Sequence, residues 1–369
     1  MEGNLLLFDN DIHLAAHRFV PERLTFARDW RGVSKAELAD RIGRTPSAVS
    51  QYESKRIKPD PQTIGRIGLA LGVPVGFFAR KMSTPLLPSE SCHYRRIRAA
   101  SQKDRRQLQA RGSLLLELVL ALSDHVDWAH ESISSLAFSP RSDEDIETFA
   151  VRVRNAFGLG LGPLSHVVRL LENNGVIVTN IPGVNEDVDA FSAWHDHFPM
   201  IFLVDEKGST SRTRFDAAHE LGHLLMHVDV TPGDRDLERQ ADRFASAFLL
   251  PRETFAPECP TTFRLEHFLE LKRRWKVSVA ALIRRAYDLG KLSEANYRRA
   301  YVFLNKQGLR QREPCEPEPE SPQLLGRAIT LAQEDVTLGG IARDLGIHLS
   351  DLSDLLRYSS PQISVGDGL

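Results

Sequence analysis

Two histidines four residues apart with a glutamate between them are the residues of this chain best placed to do chemistry. His219-Glu220-Leu221-Gly222-His223 reads H-E-x-x-H. On a helix, positions i and i+4 share one face, with Cβ atoms about 5–6 Å apart. Two imidazoles at that spacing can grip one metal ion, and Glu220 beside them can hold a proton taken from water. The neighbours Phe215, Ala217, Ala218, Leu221, Leu224, Leu225 and Met226 predict a buried helix. Burial supplies the dry, shaped surroundings that metal-assisted hydrolysis needs.

A third ligand is expected downstream, in Leu237-Glu-Arg-Gln-Ala-Asp-Arg-Phe-Ala-Ser-Ala-Phe-Leu-Leu-Pro251. Glu238 and Asp242 are again four apart, on a second amphipathic helix that Pro251 stops. Glu238 completes a His₂Glu set of the kind that binds Zn²⁺ and keeps a position open for water. Asp242 is placed to hydrogen-bond the far nitrogen of a ligand histidine and fix its tautomer. The bland alternative, in which Glu238 and Asp242 form a solvated face paired with Arg239 and Arg243, does not explain why both halves fall in order at short range. His227, two turns after His219, either lines the cleft or is a partly buried helix-end histidine.

These helices need a scaffold. Val176-Ile-Val-Thr179 and Met200-Ile-Phe-Leu-Val204 read as buried strands, and Asp189-Ala-Phe-Ser-Ala-Trp-His195 as an edge strand able to receive an extended peptide by β-addition. Helices are predicted at 142–157 and 164–174 before the strands, and at 265–276, 278–289 and 293–305 after Pro251.

The N-terminal part has a different character. Residues 1–20 show no clear period. From Leu24 to Phe78 short helices follow closely. Ser34 and Glu37 form a capping box, Gly43 ends that helix, and Thr45-Pro46 opens the next, the pattern of a helix-turn-helix. Between Glu22 and Lys81 there are 12 Lys/Arg against 6 Asp/Glu, a net of +6 that suits a polyanionic partner. The connector from Ser91 to Arg111 is also basic, with seven Lys/Arg against Asp104 alone. An apolar helix from Ser113 to Val126 suits interdomain packing or a dimer contact. Gln311 to Pro322 is acidic and proline-rich, a semi-rigid linker by composition. Leu324 to Tyr358 predicts three short helices with balanced charge.

Composition bounds the rest. With 369 residues, 42% hydrophobic and 26% charged, the chain predicts two or three globular domains. No run of 18 apolar residues exists, so no membrane span is expected. The acidic N-terminus lacks a signal peptide's basic start, and Cys92, Cys259 and Cys315 make neither a disulfide framework nor a C-x-x-C pair, so a cytoplasmic location is expected.

The segment from Leu24 to Phe78 resembles XRE-type DNA-binding domains. The resemblance rests on Ser34-Lys-Ala-Glu-Leu-Ala-Asp-Arg-Ile-Gly43, Ser47-Ala-Val-Ser-Gln-Tyr-Glu53 and Pro59-Asp-Pro-Gln-Thr-Ile64. It implies that Pro46, Ser47, Ser50 and Gln51 face base edges in the major groove, while Lys35, Thr45, Lys55 and Arg56 meet phosphates. Pro46 stands where a longer polar side chain is common, which removes one base contact.

Residues 145–255 resemble the ImmA/IrrE metallopeptidases. Gly175-Val-Ile-Val, Asp189-Ala-Phe-Ser-Ala-Trp, Phe215 to His227 and Glu238 to Pro251 carry the likeness, and Asp242 stands where Asn is common. The order of the two modules is also that of the family's fusions. The implied activity is a gluzincin-like zinc endopeptidase that cleaves a transcriptional repressor or antitoxin in a stress or mobile-element response. Metal ligands His219, His223 and Glu238, general base Glu220 and supporting Asp242 follow. The alternative is a DNA-binding regulator whose peptidase-like domain only senses a ligand, which need not keep Glu220.

The expected fold is mainly α (α+β). Residues 1–20 are an arm and 21–82 a five-helix helix-turn-helix bundle. A basic connector and linker helix occupy 83–141, and a zincin-like domain with a small sheet and the H-E-x-x-H helix occupies 142–308. The acidic linker is 309–322 and a C-terminal helical module 323–369. Expected partners are DNA and a protein substrate, with a second copy of the chain as a candidate.

Overall fold

A computed structural model describes residues 11–82, 93–94, 101–128, 133–182, 190–204, 208–228, 235–310 and 312–359. Helix α1 covers residues 11–17, so the arm without a period is partly helical. Ala15, Ala16 and Phe19 are buried against the following bundle. That bundle is α2 (Pro21–Trp30), α3 (Lys35–Ile42), α4 (Pro46–Glu53) and α5 (Pro61–Leu71), closed by a 3₁₀ turn at Val75–Ala79. The ends are set locally. Ser34 accepts from the Glu37 amide while Glu37 accepts from the Ser34 amide, a complete capping box. Gly43 ends α3 at φ +66°, a conformation that costs a residue with a Cβ. Thr45 and Asp60 cap α4 and α5, each with proline at the first helical position.

Residues 83–92 and 95–100 of the basic connector lie outside the described residues, Arg95, Arg96 and Arg98 among them. Between them His93–Tyr94 form strand β1, and the part from Gln102 on is helical. Helix α6 (Gln102–Leu122) starts earlier than the apolar run and is apolar on nearly every side of its second half. The reason is where it sits: it packs on α2, on the C-terminal helices and on the sheet. Arg23 of α2 and Glu117 of α6 form an ion pair at 2.9 Å, both buried, and Arg23 also donates to the Lys81 carbonyl.

Helices α7 (Asp143–Ala156) and α8 (Val167–Asn173) lead to β2 (Ile177–Ile181), β3 (Ala190–His195) and β4 (Phe198–Val204). The order is β1-β3-β4-β2, with β2 parallel to β4 and the other pairs antiparallel. β3 is therefore not the edge strand that its weak alternation suggested. His93 and Tyr94 pair with Ser192 and Phe191 and take that outer position.

Both faces of the sheet are covered. Ile177, Ile181, Phe191, Ala193, Met200 and Phe202 join the core of the N-terminal bundle, α6 and the C-terminal helices. Val178, Ala190, Ile201 and Leu203 join the core of the second half of the chain. The period of two in a strand makes this division.

Helix α9 (Thr210–Met226) lies on that second face and α10 (Arg235–Leu249) packs on α9 and α7, followed by α11 (Arg252–Phe255), α12 (Leu265–Trp275), α13 (Val279–Asp288) and α14 (Glu294–Lys306). The acidic, proline-rich segment is no free spacer. Its carboxylates dock on helix N-termini, where orphan amides and the helix dipole favour a negative charge. Glu313 accepts from Val279 N, Glu316 from Ser211 N and Glu320 from Val167 N and Val168 N. Buried Lys272 pairs with Glu313 and Glu316, and buried Arg214 with Glu320. The chain then closes with α15 (Leu324–Ala332), α16 (Leu338–Leu345) and α17 (Leu349–Ser359). Helices α15 and α17 pack on β2 and α16 on α6, while Asp351 of α17 pairs with Arg31 of the N-terminal bundle at 2.8 Å.

Among the described residues, no helix is long and apolar enough to cross a membrane.

Candidate metal centre and nucleic-acid interface

Helix α9 owes its position to contacts at three levels. Its Ser209 N-cap makes no side-chain cap bond, and Glu316 serves its first turn instead. Trp194 Nε1 on β3 donates to the Leu224 carbonyl at 2.9 Å. Gly222 lets α10 approach: a Cβ there would stand 3.0 Å from Phe244 Cδ1 and 3.4 Å from Ala241 Cα. The close approach brings Glu238 of α10 over the two histidines of α9.

His219, His223 and Glu238 each offer a ligand atom, all within 4.8 Å of one another. The two Nε2 atoms are 3.0 Å apart, and Glu238 oxygens lie 3.5 Å from His219 Nε2 and 3.4 Å from His223 Nε2. Donors around one tetrahedral ion with bonds of about 2.0–2.1 Å stand roughly 3.3 Å apart, so the observed separations fit a single small cation. Both histidines are fully buried and Glu238 half-buried. Two inward carboxylate oxygens, Glu220 Oε1 and Glu238 Oε2, are buried without a hydrogen-bond partner. Unpartnered acceptors of this kind are costly unless a cation meets them.

Asp242 Oδ1 lies 2.9 Å from His219 Nδ1. A carboxylate there accepts the Nδ1 proton, leaving the Nε2 lone pair of His219 for a metal. The arginines beside these acids turn elsewhere, Arg239 to Asp143 and Arg243 to Asp143 and Glu147.

Glu220 sits next to the cluster, and Ser192 Oγ on β3 donates to its Oε2 at 2.6 Å. Burial pushes the Glu220 carboxyl up to about 8; the nearby His219 charge and the Ser192 hydrogen bond oppose the rise. Burial also disfavours the Glu238 carboxylate, but the two imidazoles facing it win and hold it well below the ordinary carboxylate range. His227 is buried, and burial lowers its pKa, so the neutral ring is favoured. Its Nδ1 is 2.9 Å from His223 Nδ1 and its Nε2 is 2.9 Å from Gln240 Oε1. It is thus the helix-end histidine of the second expectation, the C-cap of α9, more deeply buried than expected and hydrogen-bonded at both ring nitrogens.

Sequence reasoning had not singled out Ser192, Gly222 or Gln240. Ser192 was within reach, because it shares a strand face with Ala190 and Trp194. Gly222 and Gln240 depend on how α9 crosses α10, which no local pattern shows.

The N-terminal surface is less uniform. Pro46 and Ser47 are exposed at the start of α4, Ser50 and Gln51 are half-exposed, and Arg56 is exposed beyond the helix. Thr45 spends its hydroxyl on the Ala48 amide. Lys35 pairs with Glu53 at 3.0 Å, and Lys55 with Glu22 at 2.6 Å. The Lys55 pair is exposed on both sides, and exposed pairs are weak, about 0–1 kcal/mol. The Lys35 pair is exposed only at the lysine, since the Glu53 side chain is buried and also held by Arg28.

A helix-turn-helix bundle and a sheet carrying an H-E-x-x-H helix define a DNA-binding protein with a peptidase-like domain. Comparison with protein families agrees. Residues 26–78 match the family described as helix-turn-helix, and residues 171–287 match the peptidase family described as IrrE N-terminal-like domain. This is the ImmA/IrrE architecture joined to an XRE-type helix-turn-helix domain. A comparison with curated proteins finds no match.

Proposed function

We propose that this chain is a DNA-binding zinc endopeptidase that cleaves a transcriptional repressor or antitoxin, acting in the cytoplasm, where DNA and such a substrate meet. The observation that carries the reading is the convergence of His219, His223 and Glu238 beside Glu220, a general-base candidate held by Ser192. His219, His223 and Glu238 would hold the ion. Zinc, when bound there, supplies Lewis acidity toward the scissile carbonyl and eases ionisation of water. Glu220 takes a proton from the attacking water and delivers it to the leaving amine. Ser192 keeps the carboxylate aimed, and a cation beside it favours the ionised form that a base needs. The peptide lies along β3, where it must displace β1 or extend past it, since His93 and Tyr94 take that edge.

The test is incubation of the purified chain with a candidate repressor, with zinc or with chelator, beside Glu220→Gln. Metal-dependent cleavage at one bond, absent in Glu220→Gln, supports the reading. Equal cleavage by both proteins refutes it.

A further inference from the structure

His223 and His219 face the same centre but are supported differently. Both turn Nε2 to the cluster, and a histidine that binds metal through Nε2 must present its lone pair there, so its proton belongs on Nδ1. For His219 the acceptor of that proton is the Asp242 carboxylate. For His223 the neighbour is another imidazole, His227, at 2.9 Å from Nδ1 to Nδ1. Two neutral rings can share this contact only if one nitrogen donates and the other accepts. With His223 donating, His227 Nδ1 accepts and its own proton moves to Nε2. That nitrogen faces Gln240 Oε1 at 2.9 Å, an amide oxygen that can only accept. The three groups satisfy one another in a single direction.

We infer that His227 and Gln240 form a neutral hydrogen-bond relay that holds His223 in the Nδ1–H tautomer with its Nε2 lone pair turned to the ligand cluster. They are positioning residues, and the inference rests on the metal-site reading above. Local structure makes the relay possible. His227 is the C-cap of α9, with its amide bonded to the His223 carbonyl, so its ring returns toward the residue one turn back. Gln240 lies on α10 between Glu238 and Asp242, so one turn of that helix supplies a ligand and both supports. A neutral relay also adds no charge. Glu220, Glu238 and Asp242 already bring three acidic groups to the centre, and a fourth would raise repulsion whenever the ion leaves.

The experiment uses the full chain, stripped of metal and titrated with zinc against a competing chelator. Gln240→Leu and His227→Phe are each expected to weaken zinc binding about 10–100-fold. The double variant is expected to lose little more than either alone, because both act on one proton. Gln240→Glu, which keeps an acceptor oxygen, is expected to recover most of the loss. Gln240 is half-buried on the helix surface, so Gln240→Leu tests the relay even where His227→Phe does not fold. In the zinc-loaded parent, nitrogen-15 spectra of labelled histidine are expected to show His227 as the Nε2–H tautomer. A parent that binds zinc with variants that bind equally well, or a His227 found as Nδ1–H, overturns the inference alone. A parent that binds no stoichiometric zinc overturns the metal reading and the inference with it.

Discussion

Replacing Glu220 by Gln is expected to stabilise the metal-free protein, and to do so increasingly as pH rises. Burial pushes this carboxyl up to about 8 from an ordinary 4.5. Between those values the folded chain keeps a proton that the unfolded chain has released. Stability from this group is therefore fully present below pH 4.5 and lost as pH climbs toward 8. At about 1.4 kcal/mol per pH unit, the interval sets an upper bound of roughly 5 kcal/mol, and relaxation around the site reduces it to a few kcal/mol. Glutamine matches the protonated acid in shape, still accepts from Ser192 and cannot ionise. The two proteins are expected to match near pH 4.5 and to diverge until about pH 8, with the variant more stable. Urea unfolding of both chelator-treated proteins across this range measures the difference directly, and the subtraction removes every other titrating group. Added zinc is expected to flatten the divergence, since a cation beside Glu220 favours its carboxylate. A difference that does not change with pH would show that Glu220 is not held in a dry, proton-retaining site.

Three further outcomes follow from packing and charge. Gly222→Val would push a side chain into Phe244 and Ala241; we expect a loss of about 1–3 kcal/mol in stability and weaker zinc binding by chelator competition. Glu117→Ala leaves buried Arg23 without its carboxylate, and a drop of about 3–5 kcal/mol in the denaturant-unfolding free energy is expected, with Glu117→Gln milder. Ser50→Glu in the full chain places a negative charge on the outer face of α4. Fluorescence anisotropy with duplex selected from a random pool is expected to show a loss of at least about 1–3 kcal/mol in binding, with an unchanged melting temperature; unaltered affinity would mean that α4 does not enter the groove.

Much of this protein is legible without coordinates where a function depends on residues close in the chain. The i,i+4 pairs His219/His223 and Glu238/Asp242, the capping box at Ser34, the Thr45-Pro46 helix start and the glycine at 43 are all local, and each does in the structure what its chemistry allows. The composition of the bundle, and the period of two that sends Phe191 and Ser192 to opposite faces, are local too. What only the tertiary structure decided are meetings between distant segments. Nothing in Asp189–His195 reveals that His93–Tyr94 will cover its edge. The run from Glu313 to Glu320 reads as a spacer because acidic, proline-rich chains repel themselves in water. It docks because three helix N-termini, Lys272 and Arg214 happen to line its path. The partners of Glu220, His227 and Arg23 come from a strand, a neighbouring helix and a helix 94 residues away. A side chain's propensities record its own turn of backbone, whereas the burial of a charge depends on what the rest of the chain brings to it.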